Sequence, residues 1–127
     1  MANMYSYINV LGKAANASWS RMEVISDNIS NVSTPNYKRK DVQFETYLQA
    51  ELGDGYTLDQ CVDNIDLDAL TATTYTDNAN LSYRYDGNNV DIDTENSEMA
   101  KTQIRYKGLM ESMTNEYTRI KTALSKS

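Results

Sequence analysis

Met4-Tyr-Ser-Tyr-Ile8-Asn-Val-Leu11-Gly-Lys-Ala-Ala15-Asn-Ala-Ser18-Trp-Ser-Arg-Met22-Glu-Val-Ile25-Ser-Asp-Asn-Ile29-Ser-Asn-Val32 is the stretch that decides the fold. Met4, Ile8, Leu11, Ala15, Ser18, Met22, Ile25, Ile29 and Val32 follow one another at spacings of four and three without a break, and only Ser18 is polar. A period of about 3.5 residues keeps one narrow seam on one side of a helix, which is the geometry of coiled-coil packing rather than of a broad globular face. Trp19 lies beside the seam and widens it near the middle.

The far end of the chain repeats the device. Met99, Gln103, Tyr106, Met110, Met113, Tyr117, Ile120 and Leu124 alternate between the same two spacings, with Gln103 as the polar exception. Asp93 or Thr94 offers a side-chain oxygen to cap this second helix, Glu95 and Glu98 suit its positive end, and Arg119, Lys121 and Lys126 suit its negative end. Two helices of about 30 residues would each span about 45 Å and lie side by side over their full length. Single amphipathic helices also serve ordinary bundles, but two unbroken heptad seams at opposite ends of one chain favour the coiled coil.

The expected fold is therefore all-α: an N-terminal coiled-coil helix within residues 1–35, a turn and irregular acidic insertion over 36–92, and a C-terminal coiled-coil helix over 93–127. The two ends together form one structural domain. The pairing seam comprises Met4, Ile8, Leu11, Ala15, Met22, Ile25, Ile29 and Val32 on one side, and Met99, Tyr106, Met110, Met113, Tyr117, Ile120 and Leu124 on the other.

The composition agrees with economical use of apolar residues in stripes. Of 127 residues 40% are hydrophobic, but ten of these are Tyr and one is Phe, and the mean hydropathy of −0.64 leaves little for a central core. From Glu51 to Glu98 the chain carries twelve Asp and Glu against one cation, Arg84. Residues 50–90 show little period and are rich in Gly, Asn, Asp and Thr, which favour turns and local side-chain hydrogen bonds. Thr71 to Tyr75 and Leu81 to Tyr85 are rich in β-formers and suit a small hairpin around Asp77, Asn78 and Asn80. Disorder that folds against neighbours is the expectation preferred over that hairpin, since low hydrophobicity and excess charge do not offset chain entropy.

Several function classes drop out. A net charge of −6 gives a nucleic-acid role no electrostatic support, because phosphate binding needs a concentrated basic face. Without a single histidine the commonest general base, nucleophile partner and nitrogen metal ligand are missing, so an enzyme is not expected, and neither cofactor nor metal is. The lone Cys61 forms no intrachain disulfide and reads as a small buried or half-buried side chain. The Asp-rich run around Gly87 fails as a calcium loop, because placing Gly87 sixth puts Arg84 at a ligand position. No membrane-spanning run and no cleavable signal is apparent.

The stretch from Asn28 to Arg39 ends the first helix. Asn31 and Ser33 are suited to bonding local backbone, Pro35 pushes Thr34 out of helical geometry, and Asn36 tolerates a left-handed conformation, so the chain turns sharply. Lys38, Arg39 and Lys40 read as a solvated basic cluster, or alternatively as a contact for an acidic neighbour. The run from Asp27 to Arg39 resembles the N-terminal signature of flagellar rod, hook and hook-associated axial proteins, with Asn28, Asn31, Thr34, Pro35, Asn36 and Tyr37 as the signature turn. Asn36 stands where that family usually has Gly. Asp86-Gly-Asn-Asn-Val-Asp-Ile-Asp93 followed by Met99-Ala-Lys-Thr-Gln-Ile-Arg-Tyr106 is similar to the matching region of proximal rod subunits.

The resemblance implies a structural subunit that assembles helically with copies of itself and with other rod proteins, a rod-base adaptor, the membrane ring and the export gate. It further implies a place in the flagellar basal body, reached by type III export without a cleaved signal. Phe44-Glu-Thr-Tyr-Leu48 resembles the short motif, here Phe44 and Leu48, by which early export substrates are recognised; a local apolar contact is the plainer reading. The alternative from another class is a soluble helical hairpin that binds a protein or a cation.

Overall fold

The computed structural model describes residues 5–53, 57–78 and 85–125. In chain order these form α1 (Ser6–Ser30), β1 (Lys40–Gln43), α2 (Glu45–Leu52), α3 (Leu58–Asp63), a 3-10 turn (Leu67–Ala69), β2 (Thr73–Thr76) and α4 (Ile92–Ser125). Helix dominates, with one small two-stranded antiparallel sheet among the described residues.

The two long helices run antiparallel. Asn28 of α1 meets Glu95 of α4, Trp19 stacks obliquely on Tyr106 with ring centroids 5.7 Å apart, and a Cβ on Gly12 would lie 3.9 Å from the Met113 terminal methyl. At 1.5 Å per residue α4 reaches about 51 Å and α1 about 38 Å.

α1 buries two faces rather than one seam. Ile8, Ala15, Ser18 and Ile25 are buried seam positions, and Met4 lies outside the described residues. On the other side Ala17, flanked by Val10 and Ala14, packs against Phe44 and Leu70, with Leu48, Ile65, Leu67 and Ala72 around them. The chain thus has a small second core, built by the segment expected to be irregular. That segment is held by local chemistry: Thr57 and Gln60 form a reciprocal capping box at α3, and Asp66 caps the 3-10 turn through the Asp68 amide. Cys61 is half-buried on α3.

Three sequence expectations need correction. Thr73–Thr76 is a strand, but it pairs with β1 in the register Lys40↔Thr76 to Gln43↔Thr73; residues 81–84, the second arm of the expected hairpin, lie outside the described residues. Helix α4 is capped two residues early, since Asp91 accepts the amides of Asp93 at 3.0 Å and Thr94 at 3.4 Å.

The third correction concerns the seam of α4, which is rotated by about one residue. Its less exposed face is Glu95, Met99, Thr102, Tyr106, Leu109, Met113, Glu116 and Ile120, again at spacings of four and three. Met110, Tyr117 and Leu124 point outward at 41%, 54% and 62% exposure, and Gln103 is exposed as well. A heptad fixes the period, not which of two adjacent columns turns inward. Here polar groups decide: α4 buries only Glu95 and Thr102 fully, and the glutamate is tied to Asn28 of α1 and to Arg39, just ahead of β1.

Candidate functional site: a polar junction beneath an exposed apolar stripe

The signature turn is built as its residues require. Asn31 donates its side-chain amide to the Asp27 carbonyl (2.8 Å) and accepts from the Thr34 hydroxyl (3.1 Å). Asn36 is the one non-glycine residue with positive φ, 61°, among the described residues, and its amide donates to the Asp86 carbonyl at 2.6 Å. Gly87 lies opposite at φ 75°; a Cβ there would stand 2.7 Å from Asn36 Oδ1. Gly87→Ala is therefore expected to cost about 1–3 kcal/mol. Part of that loss should return in an Asn36→Gly background, which a comparison of urea midpoints measures. Equal losses in both backgrounds would refute the coupling.

Four polar side chains close the junction between the turn and the residues ahead of α4. Asn88, fully buried, donates Nδ2 to the carbonyls of Asn31 (2.8 Å), Val32 (3.1 Å) and Thr34 (2.9 Å), so one amide gathers three carbonyls of the turn that follows α1. Asn28, also 0% exposed, treats Lys40 as a strand neighbour would, accepting its amide at 2.9 Å and donating to its carbonyl at 2.8 Å. Tyr37 also donates to Asn28, and Asn28 donates to Glu95 at 3.2 Å. Asn89 ends the β1–β2 ladder: its Oδ1 accepts from the Arg39 amide (2.7 Å) and its Nδ2 donates to the Asp77 carbonyl (2.8 Å).

Arg39 lies at the centre. It donates to Glu95 and to Asp77 at 2.6 Å each, with Asp41 at 3.6 Å. Burial disfavours its charge, yet the hydrogen bonds to Glu95 and Asp77 raise its pKa above the ordinary arginine value. The basic triplet is thus not a solvated cluster. Arg39 is buried, Lys38 is half-buried and donates to the Gly87 carbonyl, and only Lys40 is exposed. Likewise Glu95, read from sequence only as suiting the positive end of the second helix, is 0% exposed.

A second clamp lies two turns up α1 from Asn28. Arg21 holds both Glu45 carboxylate oxygens, at 2.6 and 2.7 Å, and the Val42 carbonyl at 2.9 Å; Arg105 of α4 reaches Glu45 from outside at 3.3 Å. The Arg21 hydrogen bond holds the Glu45 carboxyl below its ordinary pKa against the burial that raises it. A depressed carboxyl contributes stability above its unfolded pKa, about 4.3, and loses it as pH falls through the folded value. Wild-type stability should therefore decline with acidification below that point, and Glu45→Gln should flatten this slope in an acid titration of denaturant midpoints. An unchanged acid slope would remove Glu45 as a contributor.

Sequence reasoning placed Asn28, Asn31, Thr34, Pro35, Asn36 and Tyr37 in the turn. It missed Asn88, Asn89, Asp91, Arg21 and the Arg39–Glu95 pair. The available signal was Arg21 and Asn28 themselves, a polar pair one heptad apart beside the seam. Phe44 and Leu48 fall in the second core, with Phe44 buried.

The long helical hairpin is closed at one end by this turn, the stretch that resembles the signature of flagellar axial proteins. The family described as Flagella basal body rod protein matches residues 8–38, which are α1 and the signature turn. Flagellar basal body rod protein FlgB of Bacillus subtilis (strain 168) is 35% identical over 106 residues, covering 83% of this chain and 82% of its own. FlgB of Borrelia hermsii is 37% identical over 101 residues (68% and 71%), and FlgB of Escherichia coli (strain K12) 32% over 107 (74% and 75%). The chain belongs to the FlgB family of flagellar basal body rod proteins. It is a structural subunit of the basal-body rod and assembles with other basal-body components. No helix among the described residues is long and apolar enough to cross a membrane.

Proposed function

We propose that the chain self-associates helically as part of the proximal rod, joining the membrane ring and export gate to the distal rod and transmitting torque without any catalytic step. Its contacts would be copies of itself, other rod proteins, the rod-base adaptor, the ring and the gate. In this reading the two terminal helices act as one structural domain, and α1 and α4 wind as a coiled coil through the seam, now including Thr102, Leu109 and Glu116. The signature junction fixes their angle at one end. Export proceeds through the flagellar type III pathway with the chain unfolded, and Phe44 and Leu48 are the residues the gate reads.

The observation that carries this reading is the apolar surface left outside the hairpin. Trp19 is 53% exposed and touches Tyr106, and Met110 and Tyr117 continue the face along α4. Covering one large side chain contributes about 1.5–3 kcal/mol, so a few per interface suffice when a contact is repeated.

Sedimentation of the purified chain alongside a Trp19→Ala, Tyr117→Asp variant tests it. Both residues are exposed, so circular dichroism of the variant should match that of the wild type while concentration-dependent association disappears. A wild type that remains a compact monomer at every concentration would point to the helical-hairpin binding module instead.

A further inference from the structure

The hairpin is electrically two-sided. Between Lys40 and Arg84 the sequence has no cation, and it carries Asp41, Glu45, Glu51, Asp54, Asp59, Asp63, Asp66, Asp68 and Asp77. From Met99 onward α4 carries Lys101, Arg105, Lys107, Arg119 and Lys121 against Glu111 and Glu116. Among the described residues Lys101, Arg105 and Arg119 have carboxylate partners within the chain, whereas Lys107 and Lys121 have none. These two free cations are one heptad column away from Met110 and Tyr117, so at 3.5 residues per turn they flank the exposed apolar stripe.

The acidic layer cannot fold back onto that stripe. It packs on α1 through Ala17, Val10 and Ala14, whereas Gly12 and Trp19 face α4. At 100° per residue those two sets of positions lie on opposite sides of α1. Arg105 reaches Glu45, but from the other shoulder of α4.

We infer that the outer stripe of α4, Met110 and Tyr117 flanked by Lys107 and Lys121, docks on the acidic layer of a second copy around the exposed Leu58, Asp66 and Asp68. This rests on the self-association proposed above and names its two faces. Because the faces differ, the contact is head-to-tail and propagates instead of closing into a dimer. Charge complementarity sets its register, and the apolar stripe supplies the buried area.

The test is sedimentation of the full chain at low and high sodium chloride, with charge-reversal variants checked for helix by circular dichroism. Lys107→Glu, Lys121→Glu should weaken association at least about tenfold at low salt, as several reversed rim pairs imply. Asp68→Lys, which leaves the Asp66 cap in place, should do the same, an equimolar mixture of the two variants should give back mixed complexes, and high salt should weaken the wild type. The milder Lys107→Gln, Lys121→Gln pair serves if reversal disturbs the helix. Salt-insensitive association unchanged by either reversal, while Tyr117→Asp still abolishes it, overturns this pairing of faces and leaves self-association standing. Variants that weaken association without rescuing each other also overturn it, and a chain that never associates removes both readings.

Discussion

Glu95→Ala is expected to cost about 3–5 kcal/mol, because it leaves two buried donors, the Arg39 Nε and one Asn28 amide hydrogen, without an acceptor and takes from Arg39 one of the carboxylates that neutralise it. A domain of this size holds only about 5–15 kcal/mol in total, so the variant should be largely unfolded at mild denaturant concentrations. Glu95→Gln is no remedy, since its amide turns a donor toward either Arg39 or Asn28, both of which already donate. The ion pair itself is another matter. Removing both partners, as in Arg39→Leu with Glu95→Leu, leaves no uncompensated charge on this pair; Asp77 loses its arginine in exchange, so only part of the loss should be recovered. Denaturant midpoints of the two single variants and the double variant complete the cycle. A Glu95→Ala protein within about 1 kcal/mol of wild type would mean that the junction does not hold the hairpin.

The hairpin itself was legible because heptad spacing is a local signal that survives whatever the rest of the chain does. Its existence follows from Ile8, Ala15, Ser18 and Ile25 on one helix and Met99, Tyr106, Met113 and Ile120 on the other, all of which the spacing singled out. Asn36 was legible too, since a positive φ restricts the residue types that fit, and the turn left few other positions for one. The rotation of α4 was not, because Met110, Tyr117 and Leu124 form as good an apolar column as Thr102, Leu109 and Glu116, and better by composition. What turns the helix is Glu95 finding Arg39 across 56 positions of sequence, and no local pattern announces a partner that distant.

The same reason explains the acidic middle. Local composition argued against regular structure there, and the elements that form are correspondingly short. They persist because a few apolar residues, Phe44, Leu70, Ile65 and Leu67, meet the small side chains Ala14 and Ala17 on the far side of α1. Those alanines had been assigned no face, since only residues on the seam were counted. The junction residues Asn88 and Asn89 were read as turn formers; the structure uses their amides as fixed connectors between segments some 50 positions apart. A rod subunit needs its two long helices at one angle in every copy. A buried network in which each amide has defined partners meets that need better than an apolar contact, which tolerates sliding.

Phe44→Ala is expected to remove about 3–5 kcal/mol from the second core, the usual cost of deleting a buried aromatic side chain. The loss should be local in character: α2, α3 and the 3-10 turn loosen while α1 and α4 stay paired. Cys61, half-buried on α3 beside the buried Val62, reports it as faster reaction with a thiol reagent, while helical circular dichroism falls only slightly. A second consequence separates the two roles proposed for this residue. In the folded chain Phe44 is inaccessible, so a gate that reads Phe44 and Leu48 must meet the chain unfolded. Leu70→Ala weakens the same core without altering the motif. It should therefore raise Cys61 reactivity as Phe44→Ala does but be exported at least as well as wild type, whereas Phe44→Ala should be exported poorly. Equal export defects in the two variants would assign the effect to stability and leave Phe44 a core residue alone. Normal export of Phe44→Ala would remove the motif altogether.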